Sequence, residues 1–348
     1  MGMRIALDRI GVQETMARKP RILVVGSFVM DVIATTEKLP QAGQAVYGKA
    51  FQMAPGGKGA NQALQCARLG AEVTMMGCVG DDLFGEKLLE VPRKAGVDVS
   101  HVCVRRGVSS GVGHITLEIR GQVAQNRIVV IPGANRCLKL EDVEWIRKEI
   151  GSYDMVLLQL EVPIEINRAV AAWAREAGVP VMLNPAPATE LDETLVKLTT
   201  YLAPNEQEAS FETGLPLGYD EHGPLLEDVR KIGLALSGLG AEHVLITLGA
   251  SGSAVMEGEK VHRLPSVPME QVQDPTGAGD SFVAAFCVGL TVGLSRDEAI
   301  AFASHTAAIT VSRMGAMPSL PTLEEVRTLM RKRNFRDFDL SLLDVLTQ

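Results

Sequence analysis

The chain has 348 residues, 46% of them hydrophobic, and a formal net charge of −8. That is enough apolar material for one large core or two small ones, and the acidic balance argues against a broad nucleic-acid or anionic-membrane surface. Five cysteines (Cys66, Cys78, Cys103, Cys137 and Cys287) stand without a C-x-x-C pair, and the histidines show no metal-ligand spacing; this favours a reducing, cytoplasmic setting over a disulfide framework or a zinc site.

Residues 1–20 carry charge but no apolar signal segment, and they read as a tail outside the fold. Ala6 stands where myristoylation of Gly2 would want Ser or Thr, and Met16 resembles an alternative chain start. No apolar run approaches the roughly 20 residues a membrane span needs. Residues 21–26 are β-branched and end in Gly26, the pattern of a buried strand. Asp31 follows just beyond it, either a turn residue bonding its own backbone or a ligand contact at a strand's carboxyl end.

Pro40, Gly43 and Gly48 break residues 32–54 into short extended pieces. Gly56, Gly57 and Gly59 then surround Lys58, with Asn61 three residues on. This is not a Walker A loop. It is either a plain glycine-rich turn with a surface lysine, or a close-approach loop in which amides, Lys58 and Asn61 grip hydroxyls. Residues 72–80 read as a strand and 84–95 as a helix that Pro92 should kink or end. Residues 111–131 alternate around Gly121 like a hairpin. With 32–54 they predict a small antiparallel sheet set into a βαβ chain, serving as a lid, as a subunit contact, or as both.

From residue 140 a βαβ rhythm runs on, and its strands end in polar residues or glycine: Glu161, Asn184, Asn205, then Thr247 and Gly249. Together with Asp31 these predict a site along one edge of a parallel sheet. Glu208 lies three residues after Asn205, the spacing of a capping box or of two groups near a metal–phosphate. A hairpin is expected over 252–264. Next come Asp274, Pro275, Thr276, Gly277, Ala278, Gly279 and Asp280, followed by a small and apolar run that reads as a buried helix. Asp280 could be a helix cap. The amides of Gly277, Ala278 and Gly279 beside a carboxylate instead provide what phosphoryl transfer to an alcohol requires. A further helix is expected over 296–312, with His305 as a packing residue, and residues 322–348 read as solvated.

Two of these stretches, Gly56–Ala63 and Asp274–Asp280, with Asn205-x-x-Glu208 between them, resemble the signatures of the ribokinase-like carbohydrate kinases in the order that family has them. The resemblance covers about residues 21–321. It implies a three-layer α/β/α sandwich with a mostly parallel sheet and a small β-lid: a kinase domain over 21–335 flanked by tails at 1–20 and 336–348. It implies transfer of the ATP γ-phosphoryl group to a sugar's primary hydroxyl, ribose foremost, with Asp280 as base and Gly277, Ala278 and Gly279 as anion hole. Asp31, Gly57, Lys58, Asn61 and Glu161 would hold the sugar. Asn205, Thr247, Gly249 and Gly279 would line ATP, with Glu208 acting on Mg²⁺ through water. Asp274, Thr276, Thr310, Arg313, Gly315 and Ser319 match loops that hold an activating K⁺. The lid would pair two copies as a homodimer, with sugar and ATP the only other partners. Val29 stands where many such enzymes carry a sugar-binding Asn, which raises 2-deoxyribose beside ribose; fructose, a nucleoside, or a catalytically silent sensor are the other readings.

Overall fold

The computed structural model describes residues 18–120, 123–336 and 338–348; the tail expected over 1–20 lies outside the described residues for 1–17, as does the turn at Gly121. Arg18, paired with Asp154, and the buried Pro20, whose carbonyl accepts from the Glu72 N–H at 2.9 Å, belong to the fold rather than to a tail. In chain order the strands are β1 (Arg21–Val25), β2 (Val29–Thr36), β3 (Ala50–Gly56), β4 (Glu72–Met76), β5 (Cys78–Gly80), β6 (Cys103–Arg105), β7 (Gly111–Arg120), β8 (Val123–Ile131), β9 (Met155–Gln159), β10 (Val181–Asn184), β11 (Tyr201–Leu202), β12 (Tyr219–Asp220), β13 (Gly223–Pro224), β14 (His243–Thr247), β15 (Ser253–Glu257) and β16 (Lys260–Leu264). The α-helices are α1 (Lys58–Arg68), α2 (Leu83–Lys94), α3 (Leu140–Glu149), α4 (Ile164–Glu176), α5 (Glu193–Val196), α6 (Glu206–Thr213), α7 (Leu226–Gly238), α8 (Ala278–Thr291), α9 (Arg296–Val311) and α10 (Leu323–Lys332).

Eight strands form the main sheet in the order β4-β1-β9-β10-β11-β14-β15-β16. The first six run parallel, and β15 and β16 close the far edge as an antiparallel hairpin. Alternate residues of β1 enter different cores. Ile22 and Val24 meet the layer of α1, α8 and α9, while Leu23 and Val25 meet the layer of α3 and α4. A strand buried on both faces is why residues 21–26 are apolar without a break. The result is a three-layer α/β/α sandwich.

From β1 the chain builds β4 on one side and later β9 on the other. The carboxyl ends of β1 and β9 therefore flank the topological switch point, where an open parallel sheet leaves a crevice. The inserted sheet is present beside it, in the order β3-β2-β7-β8, but it is mixed rather than antiparallel: the β2–β3 and β7–β8 pairs are antiparallel, while β2 runs parallel to β7, which the chain reaches only after α1, β4 and α2. Asp31 lies on its central strand β2, opposite Ala54 on β3 and Gly113 on β7. Both roots of this sheet are tied by Asn135. Its Oδ1 accepts from the Phe28 N–H at 2.9 Å, and its Nδ2 donates to the carbonyls of Phe28 and Pro132 at 2.8 and 3.0 Å.

Pro92 lies in the last turn of α2, which ends two residues later. Helix α7, which the sequence reading passed over, buries Val229, Ile232 and Leu236 at helical spacing. The reading of 322–348 as solvated is corrected. Helix α10 is amphipathic and buries Leu323, Val326 and Met330. The 3₁₀ segment Leu340–Thr347 buries Leu343, Val345 and Leu346 in the main core. The charged residues between those leucines and valines disguised their helical spacing. Arg327 fastens the segment through Asp344 at 2.6 Å.

Leu343 is fully buried, so Leu343→Ala is expected to lower unfolding free energy by about 2–4 kcal/mol. Urea unfolding checks this, and an unchanged midpoint would mean the segment contributes nothing to the core.

Candidate active site

Helix α1 is preceded by its N-cap Gly57, whose φ of 97° and close contact with the Ser27 carbonyl leave no place for a side chain. Gly59 packs directly on Gly26, where a methyl group would meet backbone at 2.6–2.7 Å. The glycines therefore press the start of α1 onto the end of β1. There the Lys58 N–H donates to Glu161 Oε2 at 3.0 Å, and the Ser27 hydroxyl donates to the same oxygen. Ser27 and Glu161 stand at the ends of β1 and β9, so this contact spans the switch point. Ser27 was not anticipated; its place at the end of the first strand is the signal that could have found it.

Helix α8 arrives from the opposite side of the crevice. Gly277 is its N-cap in the left-handed region, at φ 80°. Asp280 is the third helical residue and does not cap the helix. Its Oδ2 accepts from Asn61 Nδ2 at 2.8 Å and its Oδ1 from Gln62 Nε2 at 3.1 Å. Of the three amides expected to be bare, that of Ala278 donates to the Pro275 carbonyl at 3.1 Å. Those of Gly277 and Gly279 meet no acceptor among the described residues.

Burial pushes the Asp280 carboxyl above its ordinary range, and Glu161 adds to this, while Lys58, Asn61 and Gln62 hold it down. Lys58 keeps its proton more tightly than usual: burial works against the charge, but Asp280, Glu161 and Glu208 outweigh it. The Lys58 ammonium has no hydrogen-bond partner among the described residues. Asn61 Oδ1 is also buried without a partner. A free cation and a free acceptor thus flank the base candidate, a set that hydroxyls and an anion can satisfy together.

Asp31 faces this cluster from the lid. A methyl group on Gly113 would lie 2.3 Å from its Oδ1, and one on Gly56 would lie 3.3 Å from its Oδ2. Burial, reinforced by Glu161, raises its pKa to about 6. Glu206 and Glu208 are likewise pushed up by burial.

The nucleotide-side candidates converge on the next strands. Asn205 pairs with Thr247 as an isolated parallel bridge, and Gly249 follows in the left-handed region at φ 53°. Asn205 and Glu208 do form a capping box: Asn205 Oδ1 accepts from the N–H of Glu208 at 2.8 Å, and Glu208 Oε2 accepts from that of Asn205 at 2.9 Å. The cap uses one oxygen of Glu208 and leaves Oε1 free to act elsewhere.

The remaining predicted residues form a separate loop cluster behind the start of α8. Asp274 Oδ1 accepts from the Thr276 N–H and hydroxyl at 2.9 and 2.6 Å, and its Oδ2 accepts from the Gly315 N–H at 2.8 Å. Thr310 donates to Ser281, Ser319 to the Ala316 carbonyl, and Arg313 pairs with Glu325. Helix α1 reaches this loop as well, through Gln65 to the Pro321 carbonyl and Arg68 to those of Met317 and Leu320.

Because the Asp31 pKa is raised in the folded protein, ionising this carboxyl costs the fold stability. The contribution is fully present below its unfolded pKa near 4 and is lost as pH rises through about 6. Asp31→Asn escapes that loss and is expected to be more stable than the parent at pH 8 by on the order of 2 kcal/mol. The advantage should shrink towards pH 4; unfolding of the sugar-free protein at both pH values checks it, and equal stabilities at pH 8 would contradict it.

The pfkB family carbohydrate kinase model matches residues 19–323. The chain is 39% identical over 309 residues to the ribokinase of Bacillus subtilis, covering 89% of this chain and 99% of that one. It is 31% identical over 305 residues to the deoxyribokinase of Salmonella typhi, covering 87% and 96%. The solved Arabidopsis thaliana ribokinase complexed with ribose and ATP superposes with a TM-score of 0.81 at 34% identity, over 90% of this chain and 99% of that one. The glycine-pressed helix, the buried carboxylate at the mouth of α8 and these likenesses lead to one assignment: the chain belongs to the pfkB family of carbohydrate kinases.

Proposed function

We propose that this chain transfers the γ-phosphoryl group of ATP to the 5-hydroxyl of D-ribose, giving ribose 5-phosphate, with Asp280 as the base. The observation that carries the reading is the buried Asp280 carboxylate, bonded to an Asn61 whose Oδ1 is left without a partner beside the unbonded ammonium of Lys58. The sugar lies between Asp31 on the lid and Glu161 at the switch point, with its vicinal hydroxyls on Asp31, Lys58, Asn61, Glu161 and the amide edge at Gly57. Asp280 takes the hydroxyl proton as the oxygen attacks phosphorus and ADP departs. The free amides of Gly277 and Gly279, at the positive end of α8, receive charge on the phosphoryl oxygens; Ala278 completes the turn rather than the donor set. Asn205, Thr247, Gly249 and Gly279 line the nucleotide.

Among the described residues no three His, Cys, Asp or Glu side chains form a metal cage. A Mg²⁺ that keeps most of its waters would fit such a site, and Glu208 Oε1 would hold it through water. When bound it neutralises phosphate charge. For K⁺, the side chains of Asp274, Thr276, Thr310, Arg313 and Ser319 are engaged in folding their loop. The carbonyls of Asp274, Arg313 and Gly315 have no donor among the described residues, which leaves hard main-chain oxygen for a monovalent cation.

The lid leaves Phe51, Met53 and the run Ile128–Val129–Val130–Ile131 exposed. Such a surface suits pairing with a second copy, and we read the protein as a homodimer through this sheet. Among the described residues no helix is long and apolar enough to cross a membrane; we place the enzyme in the cytoplasm on its free cysteines.

Val29 supports a second substrate. It is buried at the lid root opposite Gly56 and Gly111. An apolar wall there cannot bond a hydroxyl and discriminates only weakly against its absence, so 2-deoxyribose is the alternative acceptor. Fructose and nucleosides rank below it.

Asp280→Asn is expected to lower kcat by about 10²–10⁴-fold while sugar still binds. Coupled assays of ADP release with titration of ribose binding check this; a full-rate variant would remove Asp280 as base. Replacing K⁺ with a bulky organic cation is expected to depress the rate, and an unaltered rate would remove the cation site.

A further inference from the structure

Asp280 is met by two side-chain amides, and they are not equivalent. Asn61 keeps a free acceptor, Oδ1. Gln62 keeps none of its polar atoms free. It is fully buried, and its Nε2 lies 3.1 Å from Asp280 Oδ1 and 3.2 Å from Asn184 Oδ1. Its Oε1 accepts from Gln159 Nε2 at 2.6 Å. Behind these, Asn184 Nδ2 donates to the Ala203 carbonyl at 2.8 Å, and Asn167 Nδ2 donates to the Gln159 carbonyl at 2.7 Å.

A terminal amide can present either a donor or an acceptor to its neighbour. The chain of contacts decides which. The Ala203 carbonyl can only accept, so the Asn184 NH₂ must face it and Asn184 Oδ1 must face Gln62. Gln62 then turns its own NH₂ towards Asn184, the same side as Asp280. Its Oε1 points the other way and requires a donor, which Gln159 supplies. Gln159 is wedged, since a methyl group on Gly26 would lie 2.1 Å from its Oε1. Gln159 on β9, Asn184 on β10 and Ala203 just after β11 thereby fix the polarity of a side chain on α1.

We infer that Gln62 is a positioning residue for phosphoryl transfer: locked by Gln159 and Asn184, it keeps a donor on Asp280 Oδ1 so that the carboxylate stays unrotated and ionised. The inference rests on the reading of Asp280 as base. The charged groups facing Asp280 are Lys58 at the start of α1, Glu161 beyond β9 and Glu208 on α6. Two of the three repel the carboxylate, and burial acts in the same direction. A fixed neutral donor offsets them without adding a charge that would compete for the phosphates.

The test is the pH dependence of kcat for the wild type, Gln62→Met, Gln159→Met and the double variant, with ribose and ATP saturating. Gln62→Met keeps the length of the side chain and removes its polarity. It is expected to lower kcat about 10–100-fold at neutral pH, leave KM for ribose within about threefold, and move the acidic limb upward by about one pH unit. Gln159→Met should move the limb in the same direction by less, and should add nothing to Gln62→Met in the double variant. Should Gln62→Met fail to fold, Gln62→Glu keeps the shape, replaces the donor, and is expected to move the limb at least as far. An acidic limb that stays at its wild-type position in a folded Gln62 variant overturns the inference, as does additivity of the two Met substitutions. Asp280→Asn separates the two ideas: if it keeps full rate, the base assignment falls; if it is inactive while Gln62 variants keep the wild-type limb, only the role of Gln62 falls.

Discussion

A buried carboxylate at the mouth of a helix is the constraint on which the rest of this structure depends. Asp280 sits in the first turn of a helix whose following residues are buried almost all round. An isolated charge there would be neutralised by taking up a proton. Lys58, Asn61 and Gln62, all within the first five residues of α1, act against this. Gly57 and Gly59 let that stretch approach the end of β1 closely enough to do so.

Helix α1 is therefore the member that unites the molecule. Its first residue contacts Glu161 across the switch point, its next turn holds Asp280, and its last turn anchors the loop after α9. A parallel sheet with a change of winding direction opens a crevice at this place and no other along its edge. The inserted sheet adds what the sandwich lacks, a carboxylate approaching from above. Asp31 reaches the cluster because Gly113 and Gly56 leave room on both neighbouring strands. Burial there opposes ionisation of Asp31, with Glu161 adding to it.

Much of this was legible in the sequence, for definite reasons. The unbroken apolar run of β1, the glycines around Lys58 and the glycines before Asp280 each have a backbone meaning that survives without coordinates. Asp280 and Asp31 were ambiguous locally, since a cap or a turn would use the same residue type; the structure makes Asp280 an acceptor for Asn61 and Gln62 rather than a cap, and puts Asp31 on a strand rather than in a turn. Gln62, Gln159 and Ser27 were invisible as site residues. An amide or a hydroxyl carries no charge signature, and its role here comes from partners 97 and 134 positions away. The C-terminal segment was misread because its apolar residues are diluted by charge. Its burial is set by the groove it fills, where a side chain on Gly70 would collide with the Leu346 carbonyl.

The most direct measurement is a crystal structure of the enzyme with ribose and a non-hydrolysable ATP analogue. The account predicts the ribose 5-hydroxyl within about 2.6–3.2 Å of an Asp280 carboxylate oxygen and in line with the γ-phosphorus, with Asn61 Oδ1 now accepting from a sugar hydroxyl. A sugar bound with its 5-hydroxyl turned away from Asp280, or a γ-phosphate remote from the amides of Gly277 and Gly279, would contradict it.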